Sequence, residues 1–144
     1  MSTLDYRKPL PSPTLDSEPY YRYLREHDLR VQRCTACGRP WLPAGPVCPS
    51  CWSSAFTWTP VSGLGRVYSW TIVHEVYDKS FAEDVPYCLA MIELDEGPRL
   101  LTNLVGIEPG SIAAGLRVGV RYEDVTSEVT LVKFGPAPEP GRKT

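Results

Sequence analysis

The sequence has little of what catalytic centres are usually built from. It contains only two histidines, His27 and His74, and neither a G-x-S-x-G nor an H-E-x-x-H motif occurs. The glycines at Gly63–Gly65 lead into a strand pattern and not into a helix, which argues against a dinucleotide-binding loop. Because no segment supplies a nucleophile, a base and an oxyanion site together, the sequence predicts a chain that is not an enzyme by itself.

Long apolar runs are also missing. No stretch approaches the ~20 apolar residues that a membrane-spanning helix needs. Residues 1–21 are rich in proline and lack the apolar centre of a secretory signal. We therefore expect no membrane association and a cytoplasmic location, where thiols stay reduced.

A surplus of positive charge is missing as well. The chain carries 15 Lys and Arg against 17 Asp and Glu, a net charge of −2 at pH 7, and most of the excess acid lies after residue 51. Single-stranded nucleic acids bind to basic grooves lined with aromatic platforms. The aromatic residues are present, but the acidic balance of the larger half makes nucleic-acid binding the least favoured function.

The sequence does contain one strong motif, a pattern of four cysteines. Cys34, Cys37, Cys48 and Cys51 form C-x2-C-x10-C-x2-C, which suits the tetrahedral coordination of Zn²⁺ by thiolates. Four thiolates close the coordination sphere and leave no open position for a substrate, so the pattern predicts structural zinc in a rubredoxin-like ribbon. Disulfides are disfavoured in a reducing compartment, and a redox C-x-x-C would be followed by a long helix.

The segment before the cysteines predicts a short helix. Residues 1–15 read as an extended arm, and Ser17 is a candidate N-cap followed by Pro19 in the first turn. Tyr20, Tyr21 and Leu24 fall on one side of this helix at helical spacing. The alternating residues 29–33 then predict a strand that leads into the first cysteine pair.

After Trp52 the apolar residues recur with a period of two. Five strands are predicted, at residues 65–76, 86–95, 98–106, 118–125 and 128–134. The second and third are joined by a tight turn at Asp95–Pro98, and a short helix is expected at Ser111–Leu116. This order is that of an OB-fold barrel. Cys88 lies on the apolar face of the second strand, where it reads as a small buried side chain.

The predicted fold is therefore mainly β, with an N-terminal helix, a zinc ribbon and a C-terminal five-stranded OB-fold barrel. Its expected parts are listed in chain order: arm and helix 1–28, ribbon 29–58, barrel 59–135 and flexible tail 136–144.

Taken together, these segments resemble a known family. The resemblance rests on "LRVQRCTACGRPWLP", "PVCPSC", "SGLGRVYSWTIVH", "VPYCLAMIELDEGPRLLTNLVG" and "VTLVKFGPA", and it covers residues 17–137. The chain is similar to the acyl-CoA-associated zinc-ribbon/OB-fold proteins, a domain of unknown function that accompanies thiolases and thiolase-like aldolases.

The resemblance implies a role beside an enzyme. Family members dock on thiolases, aldolases, acyltransferases or MaoC-type hydratases and help to hold a CoA thioester. The resemblance therefore implies a non-catalytic accessory subunit with a thiolase-like enzyme and an acyl-CoA as partners. One position departs from the family pattern, because Gly45 stands where relatives commonly carry an Arg before the third cysteine. Direct contact of this chain with CoA is therefore left open.

Four aromatic residues are the candidates for contact with a partner: Tyr20, Tyr21, Trp41 and Phe81. For each of them ordinary packing inside the chain is the competing interpretation. Two other functions also remain as alternatives, a stand-alone acyl-CoA binding module and a single-stranded nucleic-acid binder.

Overall fold

The computed structural model describes residues 6–138, and these form one helix, a three-stranded sheet and a closed barrel. The mainly β fold class is thereby confirmed. Residues 1–5 of the predicted arm and residues 139–144 of the predicted tail lie outside the described part. Within it, no helix is long and apolar enough to span a membrane.

Helix α1 runs from Glu18 to Arg25 and begins with Pro19 in its first turn. Ser17 occupies the N-cap position, but its side chain makes no capping hydrogen bond. Its hydroxyl instead accepts a hydrogen bond of 2.9 Å from the backbone N–H of Thr14. The predicted apolar side of the helix is confirmed, because Leu24 is fully buried in the main core.

The cysteine-bearing segment forms a small antiparallel sheet. Strands β1 (Arg30–Cys34), β2 (Pro40–Trp41) and β3 (Phe56–Pro60) lie in the order β2-β1-β3. The fully buried Gln32 in β1 holds the loop before the third cysteine through both atoms of its amide. Its Nε2 donates to the carbonyl of Gly45 at 2.8 Å, and its Oε1 accepts from the N–H of Gly45 at 2.9 Å.

Five strands close the barrel: β4 (Leu64–Val73), β5 (Tyr87–Leu94), β6 (Arg99–Leu104), β7 (Arg117–Asp124) and β8 (Thr130–Pro136). Their order around the barrel is β4-β5-β6-β8-β7, and β7 pairs back with β4. The β6–β8 pairing is parallel and the others are antiparallel. This arrangement confirms the predicted five-stranded OB-like barrel.

Two connections between these strands test the turn predictions. The β5–β6 turn is as expected, with Gly97 at φ 113° and its N–H bonded to the carbonyl of Leu94 at 2.9 Å. The helix predicted at Ser111–Leu116 is wrong, because the chain makes only a 3-10 turn at Pro109–Ser111. Ile112 follows with extended backbone and is 7% exposed, so burial of its side chain in the core takes precedence over helix formation.

The core joins all parts of the chain. Cys88, Ala90, Ile92 and Leu94 alternate along β5 and are all buried, as the period of two predicts. The same cluster includes residues from the helix and from the base of the ribbon, namely Leu24, Leu29 and Val31. A fully buried side chain of this kind contributes about 1.5–3 kcal/mol, so the ribbon and helix are anchored on the barrel.

Candidate metal centre and ribbon–barrel cleft

The four predicted ligands converge at the tip of the ribbon. Their sulfur atoms all lie within 4.8 Å of one another. Cys34 and Cys51 are 3.5 Å apart at Sγ, and Cys37 and Cys48 are 3.6 Å apart. A tetrahedron of sulfurs around Zn²⁺ at 2.3 Å has edges of about 3.8 Å, so the four cysteines fit a single zinc ion.

Backbone amides stabilise the thiolate form of Cys34, which is the form that binds a cation. The N–H groups of Ala36 and Cys37 point at Cys34 Sγ, with N–S distances of 3.3 and 3.4 Å. These hydrogen bonds, led by that of Cys37, lower the pKa of the Cys34 thiol to about 6. The opposite happens at Cys51, where the Ser53 backbone favours the thiolate but the neighbouring sulfurs raise its pKa. A divalent cation between the sulfurs removes that repulsion.

The metal centre stabilises the ribbon and is unsuited to chemistry on a substrate. Four thiolates and Zn²⁺ carry a net charge of −2, which makes the metal a poor Lewis acid. Two arginines lie beside the centre. Arg33 donates to the carbonyl of Gly38 at 3.2 Å, and Arg39 donates to the hydroxyl of Ser50. Their positive charges offset the negative charge of the metal–thiolate unit.

A cleft of about 360 Å³ lies where the helix, the ribbon and the barrel meet. Its walls come from Tyr20 and Tyr21 of the helix, residues 42–44 of the ribbon, and the barrel strands β5 and β6. The lining is mostly apolar and includes a single charged side chain, Arg99. Pockets between two modules, lined by apolar groups with few polar ones, are the usual sites for small ligands.

A second groove continues from this cleft, since Leu42 and Arg99 line both. It runs between the ribbon and the β5–β6 turn and is more polar. Within the described residues, Trp41 Nε1 and Glu96 Oε1 are buried side-chain atoms without a hydrogen-bond partner, and both residues line this groove. Buried polar atoms without partners are rare, so this donor and this acceptor each need a partner that the described residues do not supply.

Apolar side chains on the outer face of the barrel extend outward from the cleft, because the half-buried Met91 and the exposed Leu101 both line it. Met91 and Leu101 are paired across β5 and β6, and Leu101 is 60% exposed. Tyr68, in a bulge of β4, is 51% exposed, and the guanidinium of Arg99 lies 3.8 Å from its ring centroid. We call Tyr68, Met91 and Leu101 the barrel patch.

An ion-pair ladder borders the barrel patch. Glu93 lies between Arg66, at 2.5 Å, and Arg99, at 3.1 Å, on the neighbouring strands. The hydrogen bonds from Arg66 and then Arg99 lower the pKa of the Glu93 carboxyl. The ladder keeps Arg99 in place at the mouth of the cleft.

The structure places the four predicted contact residues differently. Tyr20 and Tyr21 line the cleft, and burial raises the pKa of Tyr20. Phe81 lies elsewhere, packed beside Tyr87 at a centroid distance of 6.1 Å and beneath the ammonium of Lys8. Trp41 is 5% exposed and packs edge-to-face on Phe56. In this chain its ring belongs to the small core of the ribbon, together with Cys34, Cys48 and Phe56, and contact of Trp41 with a partner stays a prediction.

The barrel patch was not predicted from the sequence, although two adjacent leucines indicate it. In "RLLTNL" the two leucines Leu100 and Leu101 are adjacent. On a strand, adjacent side chains point to opposite faces, so one leucine had to face outward. Leu101 is that residue, and the register across β4, β5 and β6 places Ser69, Met91 and Leu101 side by side.

His27, a poor candidate for catalysis by sequence, ties the helix to the barrel. It has a positive φ of 56°, and its ring stacks on Tyr122 at a centroid distance of 4.8 Å. Its Nε2 lies 2.9 Å from Asp124 Oδ1, and Tyr122 in turn accepts a hydrogen bond from the N–H of Leu29 at 2.9 Å. These contacts fix the junction between helix, ribbon and barrel.

Comparison with known protein families matches both modules. Residues 23–57 match the rubredoxin-like zinc ribbon domain of ChsH2, and residues 58–123 match its C-terminal OB-fold domain. Among solved structures, an Ltp2-ChsH2(DUF35) aldolase is similar, with a TM-score of 0.80 and 37% identity over 89% of this chain and 99% of that one.

Similar sequences carry several names. A DUF35 domain-containing scaffold protein of Methanocaldococcus jannaschii is 34% identical over 75% of this chain and 77% of its own length. A benzoylsuccinyl-CoA thiolase subunit, BbsA, of Thauera aromatica is 34% identical over 58% of this chain and 55% of its own. A probable enoyl-CoA hydratase alpha subunit of Thermomonospora curvata is 37% identical over 90% of this chain, which spans only 40% of that longer protein.

The matched ranges cover the metal centre, the ribbon and barrel walls of the cleft and most of the barrel, and the scaffold protein is similar over most of its length. The chain therefore belongs to the DUF35 family, with a ChsH2-type zinc ribbon followed by an OB-fold domain.

Proposed function

We propose that this chain is a non-catalytic accessory subunit that binds a thiolase-like acyl-CoA enzyme and forms part of its thioester site. The observation that carries the proposal is the apolar cleft that opens beside the exposed barrel patch. Large exposed apolar side chains on a rigid sheet are typical of protein interfaces. An enzyme seated on the barrel patch would cover the cleft and exclude water from it.

The names of relatives support this choice of partner. One similar structure is described as an aldolase with its DUF35 chain, and one similar sequence is a thiolase subunit. The name of the thiolase contains a CoA thioester, benzoylsuccinyl-CoA, which is a long substrate. A second protein wall over such a substrate restricts its motion and keeps water away from the reaction.

The cleft and the groove together suit the arm of a CoA thioester. That arm is a narrow chain containing two amide groups, each with one N–H donor and one C=O acceptor. The apolar cleft would receive the acyl end or the aliphatic part. The unpartnered Trp41 Nε1 and Glu96 Oε1 in the groove would pair with an amide. Arg39 and Arg99 line the same groove and would attract the phosphates.

The same residues favour an accessory role over catalysis. The four thiolates close the metal sphere, and Cys88 is buried in the barrel with its pKa raised by that burial. A reactive cysteine needs a lowered pKa and access. The hydratase relative does not oppose this reading, because 60% of its length lies outside the 40% that this chain spans. The stand-alone acyl-CoA binding module is the alternative outcome of the test below.

The test is co-expression with the thiolase-like enzyme encoded nearest to this chain, followed by co-purification and affinity measurement. Leu101→Asp places a charge in the barrel patch and is expected to weaken the complex tenfold or more. Ala114→Asp, at an exposed loop residue that lines none of the described cavities, is the matched control and should leave affinity within twofold. Equal affinity of the two variants would contradict docking through the barrel patch.

Titration of the isolated chain with CoA thioesters separates the two functions. An accessory subunit that forms only one wall of the site binds them weakly until the enzyme is present. Tight binding by the isolated chain, with no enzyme in the complex, would favour the stand-alone acyl-CoA binding module.

A further inference from the structure

The two cysteine turns of the ribbon close in the same way but end in very different residues. In the first turn, the N–H of Gly38 donates to the carbonyl of Cys34 at 2.9 Å. In the second turn, the N–H of Trp52 donates to the carbonyl of Cys48, also at 2.9 Å. Both residues have positive φ, 80° for Gly38 and 67° for Trp52. Glycine adopts this conformation freely, whereas a bulky residue there is strained.

Packing does not compensate the strain at Trp52. Its side chain is 76% exposed. Among the described residues it forms none of the aromatic pairs that Trp41 and Trp58 form, and it lines none of the described cavities. A glycine would therefore satisfy this turn better than tryptophan does. Uncompensated backbone strain is a feature of functional sites.

We infer that Trp52 is an anchor by which the ribbon inserts into an apolar pocket of the enzyme subunit. Tryptophan is enriched among the residues that dominate interface energies. Here the candidate zinc ligand Cys51 precedes Trp52, and the carbonyl of Ser53, which accepts a hydrogen bond of 2.9 Å from the N–H of Cys48, follows it. The backbone is thus fixed on either side, so little backbone freedom is lost on binding. This inference rests on the proposed function and adds to the barrel patch a second contact, on the ribbon.

The charges near Trp52 favour a protein over a nucleic acid. A stacked nucleobase brings phosphates, which need surplus positive charge. Arg39, which donates to Ser50 in the turn that ends at Trp52, and Arg33, at the other cysteine turn, only offset the negative charge of a metal–thiolate unit, so the setting is close to neutral. A neutral setting suits entry into an apolar pocket. The similar aldolase structure, which aligns over 99% of its DUF35 chain, supports an enzyme as the owner of that pocket.

The test compares Trp52→Gly and Trp52→Phe with the native chain in affinity for the co-expressed enzyme. Trp52→Gly removes the ring and relieves the backbone, so we expect affinity to fall tenfold or more while the melting temperature of the zinc-loaded chain stays equal or rises. Trp52→Phe keeps an aromatic anchor and should lose less than fivefold. Gly38→Ala is the control for strain. An added Cβ there meets nothing within 4 Å, so a lower melting temperature reports the cost of positive φ alone.

Four results would overturn the inference. Unchanged enzyme affinity of Trp52→Gly, with the native chain binding, would remove Trp52 from the interface and leave the proposed function intact. A lower melting temperature or zinc loss in Trp52→Gly would make the ring a packing element. If Trp52→Gly binds the enzyme fully but loses affinity for a CoA thioester, Trp52 contacts the ligand and not the enzyme. Failure of the native chain to bind the enzyme would overturn both the inference and the proposed function.

Discussion

At the scale of single residues, Gln32 shows how one buried polar side chain can hold a loop. It is fully buried, and its amide makes a pair of hydrogen bonds with the backbone of Gly45. The ribbon loop before Cys48 has no regular structure, so few other contacts fix it. This pairing places the third cysteine near the first two.

Gln32→Leu is therefore expected to destabilise the ribbon by about 1–3 kcal/mol, because it leaves the half-buried N–H and C=O of Gly45 without their side-chain partner. Urea denaturation followed by tryptophan fluorescence measures this, since Trp41 is buried in the ribbon. Thr57→Val, at an exposed position of β3, is the control and should change stability by less than about 0.5 kcal/mol. Equal stability of the native chain and Gln32→Leu would show that the pairing contributes nothing.

A second residue-scale contact should produce a measurable pH dependence. Asp95, at the β5–β6 turn, accepts hydrogen bonds of 2.7 and 2.9 Å from Arg117 of β7. This pairing lowers the pKa of the Asp95 carboxyl below its ordinary value. A lowered pKa in the folded state means that the stabilisation exists above about pH 4 and disappears as the pH falls through the folded-state value.

Asp95→Asn should therefore reduce stability at pH 7 by about 0.2–1 kcal/mol, a small effect because both side chains are partly solvated. The difference from the native chain should shrink between pH 5 and pH 3, measured by urea denaturation of the barrel strands. In the Asp95→Asn background, Arg117→Gln should cost nothing further. A difference that persists unchanged at pH 3 would assign the effect to packing and not to charge.

At the scale of elements, the sequence predicted those whose apolar residues repeat regularly. All five barrel strands and the helix follow such repeats, and the spacing of the cysteines located the metal ligands. Strand β2 has only two residues, Pro40–Trp41, which is too short to display a period. The same shortness left two interpretations of Trp41 open, contact with a partner and packing inside the chain, and the structure shows its ring buried. At Pro109–Ser111 the glycines marked a connection correctly, but burial of Ile112 replaced the expected helix.

The metal should directly stabilise the ribbon and not the barrel. Chelation of zinc, or Cys34→Ser, should unfold β1–β3 and leave most of the barrel strand signal, because metal binding supplies about 10–16 kcal/mol to modules of this kind. Amide chemical shifts report the two parts separately. Cys88→Ser is the matched control, since Cys88 lies in the barrel core and should not alter zinc content. Ribbon shifts that stay native without zinc would contradict this account.

Unfolding of the ribbon should also lower the thermal stability of the barrel to a limited extent. Leu29 and Val31 belong to the same core as Phe134 and Ile92 of the barrel. Once the ribbon unfolds, these two side chains leave the core, and the barrel should melt at a lower temperature than in the zinc-loaded chain. The two modules are therefore coupled through one core although only one of them holds the metal.

At the scale of the whole molecule, the helix, the base of the ribbon and the barrel share one core. The helix and ribbon are anchored on the barrel, a cleft opens at their junction, and the barrel patch lies beside that cleft. Tyr20 and Tyr21, which the sequence offered as candidates for contact with a partner, lie in the wall of the cleft. The barrel patch and the exposed Trp52 depend on strand register and on backbone conformation, which the sequence pattern does not resolve.

The central claim is that this chain assists thioester chemistry without performing it. The direct measurement is the rate of CoA-thioester turnover by the zinc-loaded chain alone, by the thiolase-like enzyme alone, and by the two together. The account predicts no turnover above buffer for the chain alone and a faster rate for the complex than for the enzyme alone. Turnover by the isolated chain, or an enzyme rate that the chain leaves unchanged, would contradict it.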